Sequence, residues 1–484
     1  MIIKIFIIDT FYVPFLENLY ENNPLLAHLS FSKQHEAHFF SGFGTSNAYS
    51  CGLSLLGVEA IEIVANSVML QRAWSQEYKP DLLHISSEAT QLFAILEAQI
   101  RWWKPTVLYV QDINWLPAAF LKHVKPLVEI VVGQNACPLA PGLDLSPYDL
   151  LLTSLPHYVG RFRDQGVAAA YFPIGFDELL LQRHNTKGPR PHALSFVGGL
   201  GGYHSQGTQM LEAISRELPL QVWGYGGQQL PTDSTLRQRW RGEAWADDMY
   251  GLLASSQITL NRHIDIAEGY ANNMRLYEAT GMGACLLTDA KVNLPCLFEP
   301  DQEVVTYETP EEAVSKLKQL LADPEAAAAI AARGQARTLR EHSYSKRMAE
   351  LVALLQRHRS KTGSASTQPP RPQTLLVACR AELVLRIPEP LRQALLKEHP
   401  NHRMILISDA DAQTPGLKGM KRWCSSSLDK DVTQVLACVD AMEPHQILIV
   451  EDQPGGLASG DWITQLKQQA EKRQITCSSV RPIV

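Results

Sequence analysis

The chain's 484 residues suffice for three domains of ordinary size, and a 45% hydrophobic, 19% charged composition describes a protein folded around cores throughout. A formal net charge of −6 offers no general attraction for a polyanion, so nucleic acid is not an expected partner. No apolar run reaches the roughly 20 residues of a membrane span, which leaves only peripheral membrane contact, and eight cysteines without a CxxC pair read as reduced thiols of a cytoplasmic protein.

Up to about residue 175, continuous apolar runs alternate with helical patterns. The runs 2–8, 59–65, 82–86, 106–111, 129–134, 149–153 and 168–174 are expected as strands. Apolar on both faces, they belong in a parallel sheet covered by helices, a Rossmann-like domain assigned to residues 1–185. A dinucleotide-binding version needs GxGxxG directly after its first strand. Ile8-Asp9-Thr10-Phe11-Tyr12 contains no glycine, which disfavours an NAD-linked dehydrogenase. The first glycine-rich loop comes later, at Ser41-Gly42-Phe43-Gly44-Thr45-Ser46, and opens a helix at 48–56. It is either a plain turn or a loop facing a phosphate.

A second α/β unit follows, assigned to residues 186–343. Leu194-Ser195-Phe196-Val197 leads into Gly198 and Gly199, and Gly201 and Gly202 keep the following loop free of side chains. Val222-Trp223-Gly224 and Ile258-Thr259-Leu260-Asn261-Arg262-His263 end two further strands. Then Asn272 or Asn273 caps a helix that carries Arg275 and Glu278 three residues apart, with Gly281 or Gly283 ending it before the apolar run 284–287. The Arg275–Glu278 pair has two readings: a surface ion pair, or a guanidinium for a diphosphate beside a carboxylate for both ribose hydroxyls. Helical stretches are expected at 310–321, 324–341 and 344–358.

Residues 360–374 have the polar, proline-rich composition of a linker, and 375–484 alternate strands (375–378, 404–407, 447–450) with helical segments as a small α/β domain. Asp409-Ala410-Asp411 and Glu451-Asp452 there read as solvated strand ends, because neither sits where a metal-binding DxD or a receiver domain would place it.

The order of these motifs resembles the CgeB-like glycosyltransferases, a branch of the two-Rossmann GT-B superfamily. Residues 190–358 carry most of the likeness, through the Asn273-x-Arg275-x-x-Glu278 form and the runs up to Arg333-Gly334-Gln335 and Glu341-His342-Ser343-Tyr344. Gly133-Gln134-Asn135-Ala136 and Tyr148-Asp149 extend it more loosely into the first half.

The resemblance implies two Rossmann-like domains facing a cleft, with residues 344–359 as a helix crossing back to the first domain. It implies a nucleotide-diphosphate sugar as donor, held without metal or cofactor, and a glycan, lipid-linked or protein acceptor. Gly42, Gly44, Gly198, Gly199, Gly224, Asn261, His263, Asn273, Arg275 and Glu278 are the expected donor-binding residues. A general base for an inverting hexosyltransferase is sought at strand ends of the first domain, among Asp9, His84 and Asp112, while His35 and His38 could shape the acceptor mouth. Many retaining relatives carry a glutamate eight positions before the ribose-binding one; here Tyr270 stands there, with Glu268 two residues earlier. A nucleotide-sugar epimerase or hydrolase of the same fold, or a degenerate scaffold, are the alternative readings.

Overall fold

A computed structural model describes residues 3–201, 205–263 and 267–362, and beyond them five strands within 374–480. The first domain is a six-stranded, all-parallel sheet of β1 (Lys4–Asp9), β2 (Glu59–Val64), β3 (Val107–Val110), β4 (Ile130–Asn135), β5 (Leu150–Thr153) and β6 (Ala169–Tyr171), in the order β2-β1-β3-β4-β5-β6. β3, β4 and β5 are buried at every residue, as strands covered on both faces must be. One cluster packs Phe6, Ile8, Leu108 and Val110 under helices on one side, and another packs Ile5, Ile7, Val107 and Tyr109 on the other.

The second domain has five parallel strands: β7 (His192–Val197), β8 (Gln221–Trp223), β9 (Ser256–Asn261), β10 (Cys285–Asp289) and β11 (Val305–Tyr307), in the order β11-β10-β9-β7-β8. In each sheet the strand order reverses once, between β1 and β3 and between β7 and β9. A doubly wound sheet leaves a crevice outside the carboxyl ends of the strands at that reversal. Asp9 and Asp112 flank the first crevice, and Gly198 and Asn261 the second.

The helix Tyr344–Thr362 crosses back to the first domain. Tyr344, Met348, Leu351 and Leu355 bury themselves with Tyr49 and Leu53 of the helix Ala48–Leu55. Gly52 makes this possible, because a Cβ there would lie 2.7 Å from Met348 Cγ. Two Rossmann-like parallel-sheet domains joined in this way form the GT-B architecture. Beyond residue 373, β12 (Thr374–Cys379), β13 (Arg403–Ser408), β14 (Lys421–Cys424), β15 (Gln446–Val450) and β16 (Thr476–Val480) form a parallel sheet in the order β14-β13-β12-β15-β16, two strands more than expected.

One expected strand is absent. Residues 80–84 form the 3-10 helix Pro80–His84, whose carbonyls at Leu82 and Leu83, with that of Ile85, accept from the Gln91 side chain. A side chain takes the hydrogen bonds a ladder would have used. The two acidic clusters and the C-terminal helical segments lie outside the described residues. No described helix is long and apolar enough to cross a membrane.

Candidate active site between the two sheets

The seven-residue helix Arg275–Gly281 begins on an asparagine brace. Leu276 N donates to Asn273 Oδ1 at 3.2 Å, Asn273 Nδ2 donates to Asn261 Oδ1 at 2.8 Å, and Asn261 Nδ2 reaches Thr288 Oγ1 at 3.0 Å. Asn261 and Asn273, expected on a donor, are thus engaged with each other and tie the ends of β9 and β10 to the helix start. Asn272 Nδ2 donates across the cleft to Ala136 O at 2.8 Å.

Arg275 Nε donates to Val197 O at 3.1 Å, anchoring the helix to the end of β7, and its Nη1 lies 2.8 Å from Glu278 Oε2. Glu278 Oε1 accepts from Tyr250 at 3.2 Å, and only 6% of the residue is exposed. Both of its oxygens thus have partners, where an unpartnered buried carboxyl would be costly. Glu278, Met274 and Tyr344 line one small cavity with Gly42, Gly44 and Thr45 of the first domain. The expected glycine loop and the expected ribose carboxylate therefore face each other.

The glycines after β7 and β8 have a packing reason of their own. Gly198 N donates to Trp223 O and Leu200 N to Tyr225 O, so the two loops run side by side. A Cβ on Gly224 (φ +138°) would lie 1.8 Å from Gly198 O, and one on Gly226 (φ +87°) 2.2 Å from Leu200 O. The need for glycine at 224 comes from this backbone contact. Gly199 lines a narrow hollow with Gly207, Asn261 and Arg262.

At the end of β9, His263 is fully buried, and both its N–H and Nδ1 meet Asp289 Oδ1, at 2.9 and 2.8 Å. Lys291 Nζ is 2.9 Å from the other oxygen. Burial pushes the Asp289 pKa up, but the His263 hydrogen bonds and the Lys291 charge outweigh it and hold the carboxyl at about 2. Among the described residues His263 Nε2 has no hydrogen-bond partner. Asp289 and Lys291 escape a sequence reading, since nothing near them repeats at a telling spacing.

On the facing domain, Asp9 and Asp112 meet at the β1/β3 crevice through Thr10, whose hydroxyl donates to Asp112 Oδ2 at 3.4 Å and whose amide donates to Asp9 Oδ1 at 2.7 Å. Burial pushes Asp9 up to about 7; the Thr10 amide opposes this and the Asp112 charge adds to it. His84 is not brought to this pair and sits exposed on its 3-10 helix. His35 and His38 do not shape a mouth: His35 Nε2 meets Glu62 O at 2.7 Å, and His38 spans Gln34 O and Ser67 Oγ. Among the described residues no three His, Cys, Asp or Glu side chains converge on a metal-sized site.

Two further groups complete the cleft, of which the sequence marked Tyr270 and Glu268. Tyr225 stacks on Trp245 (5.5 Å, 4° between planes), and Trp245 reaches Tyr12 and Phe43 of the first domain at 6.3 and 6.2 Å. Tyr270, in the position where a second glutamate was sought, stacks on His157 at 4.6 Å. His157 is buried with no hydrogen bond to either ring nitrogen among the described residues, its Nε2 lying 3.6 Å from Glu268 Oε2, and burial pushes its pKa down to about 4, with the Arg161 charge adding to this and Glu268 opposing it. Glu268 lies just outside, held by Arg161 through contacts of 2.8 and 2.6 Å.

Residues 206–353 match the family model described as "Glycosyl transferase-like". No curated protein matches the sequence. Similar solved structures include Anabaena HepE in complex with UDP and glucose (13% identity, 73% of this chain and 99% of that one, TM-score 0.45). Others are AviGT4, a glycosyltransferase involved in avilamycin A biosynthesis (13%, 74% and 98%, TM-score 0.47), and a sucrose-phosphate synthase from Thermosynechococcus elongatus (11%, 57% and 79%, TM-score 0.42).

Proposed function

We propose that this chain is a glycosyltransferase of the CgeB-like type that moves a hexose from a nucleotide-diphosphate donor to an acceptor hydroxyl without a metal. The observation that carries the reading is Glu278, a buried carboxylate inside the segment matching the glycosyl transferase-like model, opposed across the cleft by the Gly42 and Gly44 loop. In this reading Glu278 accepts from the ribose hydroxyls while Arg275, fixed by Val197 O, keeps its charge in place. Tyr225 and Trp245 offer a flat aromatic surface to a base. Lys291 and the backbone amides beside Gly199 meet the diphosphate, taking the place a metal would fill.

On the acceptor side Asp112 takes the hydroxyl proton, and Asp9 behind it holds a proton near neutral pH, which keeps the pair from carrying two charges. A cytoplasmic location with reduced thiols belongs to the same reading. Incubation with a nucleotide sugar, with and without acceptor, tests it: transfer requires an acceptor, whereas free sugar or an isomerised donor formed without one would establish the hydrolase or epimerase alternative. A scaffold reading is favoured by one observation, the stacking of His157 on Tyr270 at the expected sugar contact.

A further inference from the structure

We propose that the first domain carries an acceptor subsite for a neutral acyl or alkyl chain, joined to the reacting hydroxyl with no phosphate between; this rests on the transferase reading above. A cavity of about 560 Å³ opens at the carboxyl edge of the first sheet, in the size range of small-molecule sites. Leu16, Leu92, Phe93 and Trp115 form its walls, and Val13 and Met69, both about half exposed, form an apolar mouth. Its position ties it to the chemistry. Val13 follows Asp9 by four residues, Trp115 follows Asp112 by three, and Asn66 on its wall clamps Phe11 through both backbone groups, at 3.0 and 2.7 Å. A hydroxyl at Asp112 thus has an apolar chamber beside it.

Charge selects the occupant. Glu17 and Glu88 stand on the lining, and no Lys, Arg or His does. A prenyl diphosphate would bring its negative charges past these carboxylates, where Arg72 is already engaged with Glu88 at 3.3 Å and with Gln91 at 2.8 Å, whereas a neutral chain buries its methylenes at no electrostatic cost. Of the acceptors considered, this separates a neutral amphiphile from a diphosphate-linked lipid.

Titration calorimetry on the full chain, with methyl, octyl and decyl β-glucosides below their micelle concentrations, tests this. The expected result is affinity that rises by up to roughly fourfold per buried methylene. Met69→Asp and Val13→Asp, at exposed positions that leave the fold intact, should abolish the chain-length dependence while nucleotide binding persists. Farnesyl diphosphate should bind more weakly than decyl glucoside. A flat response to chain length in protein that still binds a nucleotide overturns the subsite alone, and so does tighter binding of the diphosphate. Chain-length dependence without any nucleotide binding keeps the apolar site and removes the transferase reading on which its role depends.

Discussion

Arg161 of the first domain grips Glu268 of the second through two parallel contacts, 2.8 and 2.6 Å long, directly outside the buried His157–Tyr270 stack. Both charged side chains are nearly half exposed, so solvent screens the pair despite its bidentate geometry. A double-mutant cycle of Arg161→Ala and Glu268→Ala in urea should return a coupling of no more than about 1 kcal/mol. A larger coupling would mean that this clasp, and not the apolar crossing helix, joins the domains.

The crossing helix should dominate instead. Leu351 is fully buried against the first domain, and Leu351→Ala should cost about 2–5 kcal/mol in denaturant unfolding. A loss below 1 kcal/mol would show that the helix detaches readily.

Backbone packing after β7 and β8 makes a paired prediction. Gly224→Ala puts a Cβ 1.8 Å from Gly198 O at φ +138°, and should cost about 1–3 kcal/mol for the strained backbone, with the clash adding to it. Gly201, at φ +72° with no described atom within 4 Å of a Cβ there, should tolerate alanine at about 1 kcal/mol. Equal losses at the two positions would refute the loop-on-loop contact.

Much of this fold was legible because continuous apolar strands have one good solution, burial on both faces, and their spacing places helices between them. The Arg275–Glu278 helix was legible for the same local reason: cap, periodicity and glycine stop all lie within a dozen residues. The Tyr12, Phe43, Tyr225 and Trp245 cluster was not, since it joins two pairs from different domains that share no local pattern. Gly198 and Gly224 were read as donor-binding glycines because a sequence does not reveal that two loops touch. His84 and His35 were read as free to act because a run of apolar residues does not disclose which hydrogen bonds a side chain captures.

Stability should fall as pH rises through neutrality. Burial lifts Asp9 from 3.8 to about 7 and Glu62 from 4.5 to about 8, each the largest cause of its shift. Both folded values exceed the unfolded ones, so the folded chain keeps protons that the unfolded chain releases. The stabilisation is complete below about pH 4 and is lost by pH 7 for Asp9 and pH 8 for Glu62. Over that window thermal scans of Asp9→Asn and Glu62→Gln should show a shallower decline in Tm than the wild type. Parallel curves would contradict neutral buried carboxyls.

The donor site stands or falls on Glu278. Calorimetric titration of UDP, GDP and ADP into the wild type and into Glu278→Gln, which keeps the shape and a hydrogen-bonding partner for Tyr250 while removing the charge that meets Arg275, tests the ribose contact. One nucleotide should bind the wild type selectively, and loss of charge-assisted hydrogen bonds should weaken it by about 1.5–3 kcal/mol, roughly ten- to hundredfold. Binding of that nucleotide with equal affinity to the folded variant would place the ribose elsewhere, and no binding of any nucleotide to the folded wild type would contradict the transferase assignment itself.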